Sequence, residues 1–279
     1  MSNKPYPCIW LDGKGREAAD FYCHVFGDGK ITADSPMVVT FELSGQKFMT
    51  LNGGPQFRPT AATSFYVVLE DKAEIEKVWK LLSEDGFVFM PLEKYDWSDL
   101  YGWVQDRFGV SWQIALGRLN DVHHQKFITT FMYCGEHQGK AEAAVNFYAS
   151  IFPGASVEGI LKYPEDSATP GQVMHSQFIL NGVVFGAMDS GVPQPFTFTE
   201  GMSNVIECDT QEEIDHYWNA FTREGKESMC GWCQDQFGVW WQVIPSILKQ
   251  LMSDPARAGK VTEAFMRMKK FDIRALENA

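Results

Sequence analysis

The stretch Gly102-Trp-Val-Gln-Asp-Arg-Phe-Gly-Val-Ser-Trp-Gln-Ile114 returns as Gly231-Trp-Cys-Gln-Asp-Gln-Phe-Gly-Val-Trp-Trp-Gln-Val243, identical at nine of thirteen positions with a constant offset of 129. Upstream, Glu17-Ala-Ala-Asp-Phe-Tyr-Cys-His-Val-Phe26 is echoed by Glu142-Ala-Ala-Val-Asn-Phe-Tyr-Ala-Ser-Ile-Phe152, with one residue inserted. Phe41-Glu-Leu-Ser-Gly-Gln-Lys-Phe48 is likewise echoed by Phe178-Ile-Leu-Asn-Gly-Val-Val-Phe185. A period of about 130 residues is too long for a solenoid repeat, so each copy is expected to be a domain. The spacing predicts a first domain over 1–122, a second over 126–245, and a helical extension over 246–279.

Within each copy the periodicity names the elements. Ala18, Phe21, Tyr22, Val25 and Phe26 recur at helical spacing, as do Ala144, Phe147, Tyr148, Ile151 and Phe152. A second helix carries Ile75, Val78, Trp79 and Leu82, matched by Ile214, Tyr217, Trp218 and Phe221. Gly86 and Gly225 follow these helices where a left-handed cap is expected. Strands are predicted over 5–11, 37–43, 46–52, 63–70, 101–107 and 111–116, then over 127–134, 172–180, 183–188, 202–208, 230–235 and 239–244. Ser44-Gly45 and Asn181-Gly182 read as hairpin turns. Strand, helix, then two or three strands, twice per copy, is a duplicated βαβββ module of the α+β class. A curved mixed sheet with outer helices would leave a concave face for a small ligand. In the tail, Ile247, Leu248 and Leu251 suggest a short helix, and Asp254-Pro255 begins another, both expected to dock on the sheets.

Composition narrows the partners. The 279 residues are 45% hydrophobic and 22% charged, with 24 basic against 36 acidic side chains and a formal net charge of −12. That field repels phosphate backbones and anionic lipid, so neither nucleic acid nor a membrane surface is an expected partner. No apolar run reaches the length of a spanning helix, and the start, Met-Ser-Asn-Lys-Pro-Tyr-Pro, has no apolar core of a secretory signal, which predicts a cytoplasmic location. The six cysteines are expected to stay reduced. Cys230 and Cys233 form a CxxC without a second ligand pair, and read as strand residues rather than a redox or zinc site.

Trp10-Leu-Asp-Gly, Asp20-Phe-Tyr, Phe41 through Pro55, and Cys230-Gly-Trp with Asp235 through Pro245 together resemble the PhnB-like family of the vicinal oxygen chelate superfamily, often labelled 3-demethylubiquinone-9 3-methyltransferase domain. The resemblance covers both copies. It implies two tandem domains, each of paired βαβββ modules forming an open eight-stranded barrel-like sheet, with C-terminal helices, and it names glyoxalases, extradiol dioxygenases and antibiotic-resistance proteins as relatives. Superfamily enzymes hold a divalent ion through His and Glu side chains, but the last-strand glutamate is replaced by Gln113 and Gln242, and neutral amides bind such ions weakly. Pro7, Ile9, Ser64 or Phe65, and Ser203 or Asn204 occupy the other strand positions, and of the histidines only His175 falls on a predicted strand. No metal and no cofactor is therefore expected. Gly13-Lys14-Gly15 and Asn52-Gly53-Gly54 read as turns rather than as an adenosyl-cofactor site.

The candidate ligand-pocket residues are Gln113, Asn52, Trp103 and Tyr101 in the first copy and Gln242, Asp189, Trp232 and Cys230 in the second. Alternation turns Ser111 and Ala115, or Trp240 and Ile244, the same way as the glutamines, and Trp112 and Trp241 towards the helices. Asn52 and Asp189 also suit plain turn stabilisation. The leading expectation is metal-independent binding or conversion of a small oxygenated or aromatic molecule. The alternatives are a divalent-metal glyoxalase or dioxygenase, the methyltransferase of the family label, and a non-catalytic pseudo-dimer binding module. Whether the chain is an enzyme is left open, and a homodimer is compatible with the architecture.

Overall fold

The computed structural model describes residues 4–279, which divide into two compact units, Pro7–Met202 and a unit of Ser203–Ala279 with the segment through Tyr6. Four strands of the first module, β1 (Tyr6–Leu11), β2 (Lys30–Asp34), β3 (Val38–Leu43) and β4 (Gln46–Asn52), run in the order β1-β4-β3-β2. β1 and β4 are parallel, and β3 is antiparallel to its neighbours. Helix α1 (Gly15–Phe26) buries Ala18, Ala19, Phe21, Tyr22, Val25 and Phe26, the stripe its spacing predicted.

The larger unit also holds an eight-stranded mixed sheet built from two modules. One comprises β5 (Thr63–Leu69), α2 (Lys72–Ser83), β6 (Phe87–Tyr95), β7 (Ser98–Gln105) and β8 (Ser111–Leu116). The other comprises β9 (Phe127–Tyr133), α3 (Ala141–Ile151), β10 (Ser156–Lys162), β11 (Val173–Leu180) and β12 (Val183–Asp189). The strand order is β10-β11-β12-β9-β5-β8-β7-β6, so the sheet stays open with β6 and β10 at its edges. In this sheet the modules pair across the repeat boundary, because β5 uses one edge for parallel β8 and leaves the other free for antiparallel β9, with Ser64 opposite Thr130.

Alternate residues then divide the two faces. Phe65, Trp112, Ile114 and Phe127 join the core with Tyr22, Phe26, Phe41 and Phe48. Tyr101, Trp103, Ala115 and Met132 gather on the opposite, concave face with Tyr66, Phe89 and Met188. Such parity is the expected consequence of a two-residue period in a sheet covered on one side by helices.

In the smaller unit β13 (Met202–Cys208), α4 (Gln211–Thr222), β14 (Lys226–Glu227), β15 (Trp232–Gln234) and β16 (Trp240–Pro245) repeat the module in the order β14-β15-β16-β13. Helix α4 opens on a reciprocal capping box between Thr210 and Glu213. The tail forms α5 (Leu248–Ser253), α6 (Ala258–Phe265) and α7 (Ile273–Glu277), burying Leu251, Val261, Phe271 and Leu276. Lys269 and Met268 accept main-chain bonds at 2.7 Å from Gly231 and Cys230, so the tail docks at the start of β15.

Two local expectations meet different outcomes. Ser44, Gly45, Asn181 and Gly182 all have positive φ, the geometry of the predicted tight hairpins. Gly86 and Gly225 do not serve as left-handed caps: after α2 the positive φ falls on Asp85. A Cβ on Gly86 would meet the Gln105 carbonyl oxygen at 2.4 Å and one on Gly225 the Gln234 carbonyl oxygen at 2.0 Å, so close approach of the backbone is what both positions require.

Candidate functional site

The concave face is organised around Gln113. Its Oε1 accepts from the Tyr101 hydroxyl at 2.7 Å and its Nε2 donates to Ser64 Oγ at 2.7 Å, while Trp103 Nε1 donates to Ser111 Oγ at 2.7 Å. These bonds follow from register, since Tyr101 lies opposite Ala115, Trp103 opposite Gln113, and Ser64 opposite Ser111. Gln113 is only 3% exposed, on the face where Tyr101, Trp103, Ala115 and Met132 cluster with Phe89 and Phe196. Burial pushes the Tyr101 phenol well above its ordinary pKa, fixing it as a donor.

Open space lies on the far side of Tyr66. A cavity of about 170 Å³ is lined by Tyr66, Thr130, His175 and Gln177, with Arg118 and Asp121 among its other lining groups. Arg118 and Asp121 satisfy each other through two bonds of 3.0 Å. Desolvation raises the Tyr66 pKa and lowers that of His175, whose ring reaches solvent yet is hemmed in by the sheet. The two rings lie 6.5 Å apart, centroid to centroid. A neutral phenol and a neutral imidazole on one cavity can donate to and accept from the same ligand. Tyr66, Thr130 and Gln177 were not singled out from the sequence, although strand parity with Gln113 and His175 places them on this face.

The other candidates fall elsewhere. Asn52 Oδ1 accepts from the Gly15 amide at 2.8 Å and its Nδ2 donates to the Pro36 carbonyl, which pins the start of α1. Asp189 accepts from the Ala141 amide at 3.2 Å and the Val173 amide at 2.9 Å, which pins α3 to β11. Both carry turn-stabilising bonds and share strand parity with buried aromatic residues, Asn52 with Phe48 and Asp189 with Phe185. Gly13-Lys14-Gly15 forms the turn that links β1 to α1, and the Gly15 amide is the one Asn52 engages.

In the smaller unit Gln242 Nε2 donates to Ser203 Oγ at 2.9 Å, repeating the Gln113–Ser64 pair, and Trp232 lies opposite Gln242 in the β15–β16 register. Cys230 stands where Tyr101 stands in the first copy, but with φ of 57° it turns its Sγ to Met266 Sδ at 3.7 Å under the tail. All six cysteines are free thiols. Cys233 is fully buried, which pushes its pKa far up.

The donor set bears on a metal. Among the described residues no group of three or more His, Cys, Asp and Glu is placed to hold an ion. The strand positions around Gln113 present Ser64, Tyr66 and Thr130, neutral oxygens that fit a divalent transition ion poorly. Nor, among the described residues, is any helix long and apolar enough to cross a membrane.

Tandem βαβββ modules around an open mixed sheet make a glyoxalase-like fold of the α+β class. The family model described as 3-demethylubiquinone-9 3-methyltransferase matches residues 3–115 and again 125–244, and the chain belongs to that family. Among solved structures, glyoxalase I from Zea mays is similar at 12% identity over 90% of this chain and 97% of that one, with a TM-score of 0.59. A putative 3-demethylubiquinone-9 3-methyltransferase, PhnB protein, from Bacillus cereus is 35% identical over 39% of this chain and 96% of its own, with a TM-score of 0.38. Protein PA1353 from Pseudomonas aeruginosa is 27% identical over 40% of this chain and 95% of its own, with a TM-score of 0.36. Comparison with curated proteins gave no match.

Proposed function

We propose that the concave cavity of the eight-stranded sheet binds, and in its catalytic form converts, a small uncharged oxygenated molecule of about one aromatic ring, without a resident metal. The observation that carries this is the neutral donor set of Tyr66, Thr130, His175 and Gln177 around about 170 Å³. A cavity of roughly 150 Å³ accommodates a benzene ring, so one ring with one or two oxygens is the matching size. Gln113, held by Tyr101 and Ser64, lies opposite Tyr66 in the β5–β8 register and braces that wall from the neighbouring strand. The residues Tyr66 and His175 would hold ligand oxygens, with the imidazole as acceptor and the phenol as donor. The inherited units are taken as 1–122 and 126–245, with 246–279 as an added tail.

The test is titration of the protein with phenol, catechol and a small dicarbonyl, followed by ligand-observed NMR, beside elemental analysis of protein purified without added metal. The expected result is saturable binding of at least one probe, weakened about tenfold in Tyr66→Phe or His175→Gln, consistent with loss of one hydrogen bond to ligand. Parent-like binding in both variants, or one transition ion per chain, would overturn the reading. Heat measured on titration with an adenosyl methyl donor would favour the methyltransferase alternative instead.

A further inference from the structure

A second opening of the Pro7–Met202 unit shares no residue with the concave cavity. It is a cleft of about 570 Å³ between the β1–α1 turn, the loop after β4, and the turns flanking β6 and β7. That volume lies in the range of small-molecule sites, about 300–1,000 Å³. Its walls combine two kinds of group.

The first is aromatic. Trp10 and Phe57 meet edge to face at 5.0 Å, and Phe108 and the 60%-exposed Phe87 also line the cleft. The second is cationic: Lys14, Arg58 and Arg107 all line it, and none forms an ion pair among the described residues. Arg107 is held in place, its guanidinium carbon 4.1 Å from the Phe21 ring centroid and 5.5 Å from that of Phe108. Stacking occupies the guanidinium face and leaves its edge of N–H donors for a planar anion. Asp12, Asp85 and Asp106 also line it, so three cations meet three carboxylates, of which Asp106 is 4% exposed and already engaged by the Phe108 and Val110 amides, Trp112 and Tyr22. Arg107 has these rings as partners, whereas Lys14 and Arg58 have neither an ion pair nor a ring contact among the described residues. The repeat sharpens the point, because the position equivalent to Arg107 in the second copy is Gln236.

We infer that this cleft is a second binding site, selective for a small aromatic carboxylate, whose ring lies among Trp10, Phe57 and Phe108 and whose carboxylate is met by Arg107 with Lys14 and Arg58. Because the cations are exposed, the attraction is screened by salt and weakens as ionic strength rises.

The experiment is calorimetric and NMR titration of the full chain with benzoate, its neutral analogue benzamide, and benzylamine, at low and at physiological salt. Benzoate is expected to saturate one site, with benzamide and benzylamine about tenfold or more weaker. Arg107→Gln, which installs the second-copy residue, should weaken benzoate by a similar factor. Since that variant also removes the stacking on Phe21, Arg58→Gln and Lys14→Gln keep the test on charge: each should weaken benzoate while leaving the thermal midpoint unchanged. Tyr66→Phe, in the concave cavity, should leave benzoate binding as it is, which separates this site from the one proposed above. Equal affinity for benzoate and benzamide, preference for benzylamine, parent-like binding in all three charge variants, or loss of benzoate binding in Tyr66→Phe would each overturn the inference.

Discussion

Asp106 explains why the repeated stretch is repeated. Its buried carboxylate accepts from the Phe108 and Val110 amides at 2.8 and 3.0 Å, from Trp112 Nε1 at 2.8 Å and from the Tyr22 hydroxyl at 2.9 Å. Asp235 does the same with the Phe237 and Val239 amides and Trp241 Nε1. The longest identity in the sequence is therefore a staple that closes the turn before the last strand and ties it to the core. Asp106→Ala strands four donors, and urea unfolding should report a loss of about 3 kcal/mol. Asp106→Asn should also destabilise, since its amide nitrogen would face the Trp112 and Tyr22 donors. At His175 the expected effect is one of pH. Its folded pKa lies below the ordinary 6.5, so the unfolded chain takes up the proton first, and stability is lost as pH falls from that value towards the folded one. His175→Gln should flatten that part of the stability profile, and NMR titration of the ring should show a midpoint below 6.5.

At the level of the element, Asp189 and Asn52 are anchors of helix starts, and their replacement tests this directly. Asp189→Ala should cost about 2 kcal/mol and Asn52→Ala about 1 kcal/mol in chemical denaturation, with ligand binding in the concave cavity unchanged. Thr210→Ala, which breaks the capping box of α4, should cost about 1 kcal/mol. The helices and most strands were legible because Phe21, Tyr22 and Phe26, or Trp112 and Ile114, each repeat with the period of one buried face. Four strands were not: β2, β6, β10 and β14 are all sheet edges and mostly exposed, so no alternation marks them. The same limit applied to the site. Gln113 stands out through the family resemblance, and Tyr101 and Trp103 through their place in the repeat, whereas Tyr66 and Thr130 meet only because β5 lies beside β9, a pairing between the two copies that no local pattern records. Counting two residues at a time from Phe48 or Phe185 gives Asn52 and Asp189 the parity of buried aromatic residues, which suits their bonds to the helix starts.

At the scale of the molecule, the eight-stranded sheet draws one module from each copy, joined by β5 and β9 through pairs from Thr63 with Phe131 to Val67 with Phe127. A fragment of residues 1–122 would keep β5 but lose β9. Size-exclusion chromatography of that fragment alone should show no folded monomer, and mixing it with 123–279 should restore a one-to-one complex. A monomeric fragment with native near-ultraviolet dichroism would contradict this. The join also sets an order of events at the ribosome. When β5 emerges, the strand that must lie beside it has yet to be translated, and at about 5–20 residues per second its apolar edge waits several seconds for its mate. During that interval the nascent chain presents Phe65 and Val67 on a bare strand, a moment when a chaperone, or a neighbouring chain on the same message, has first access to it.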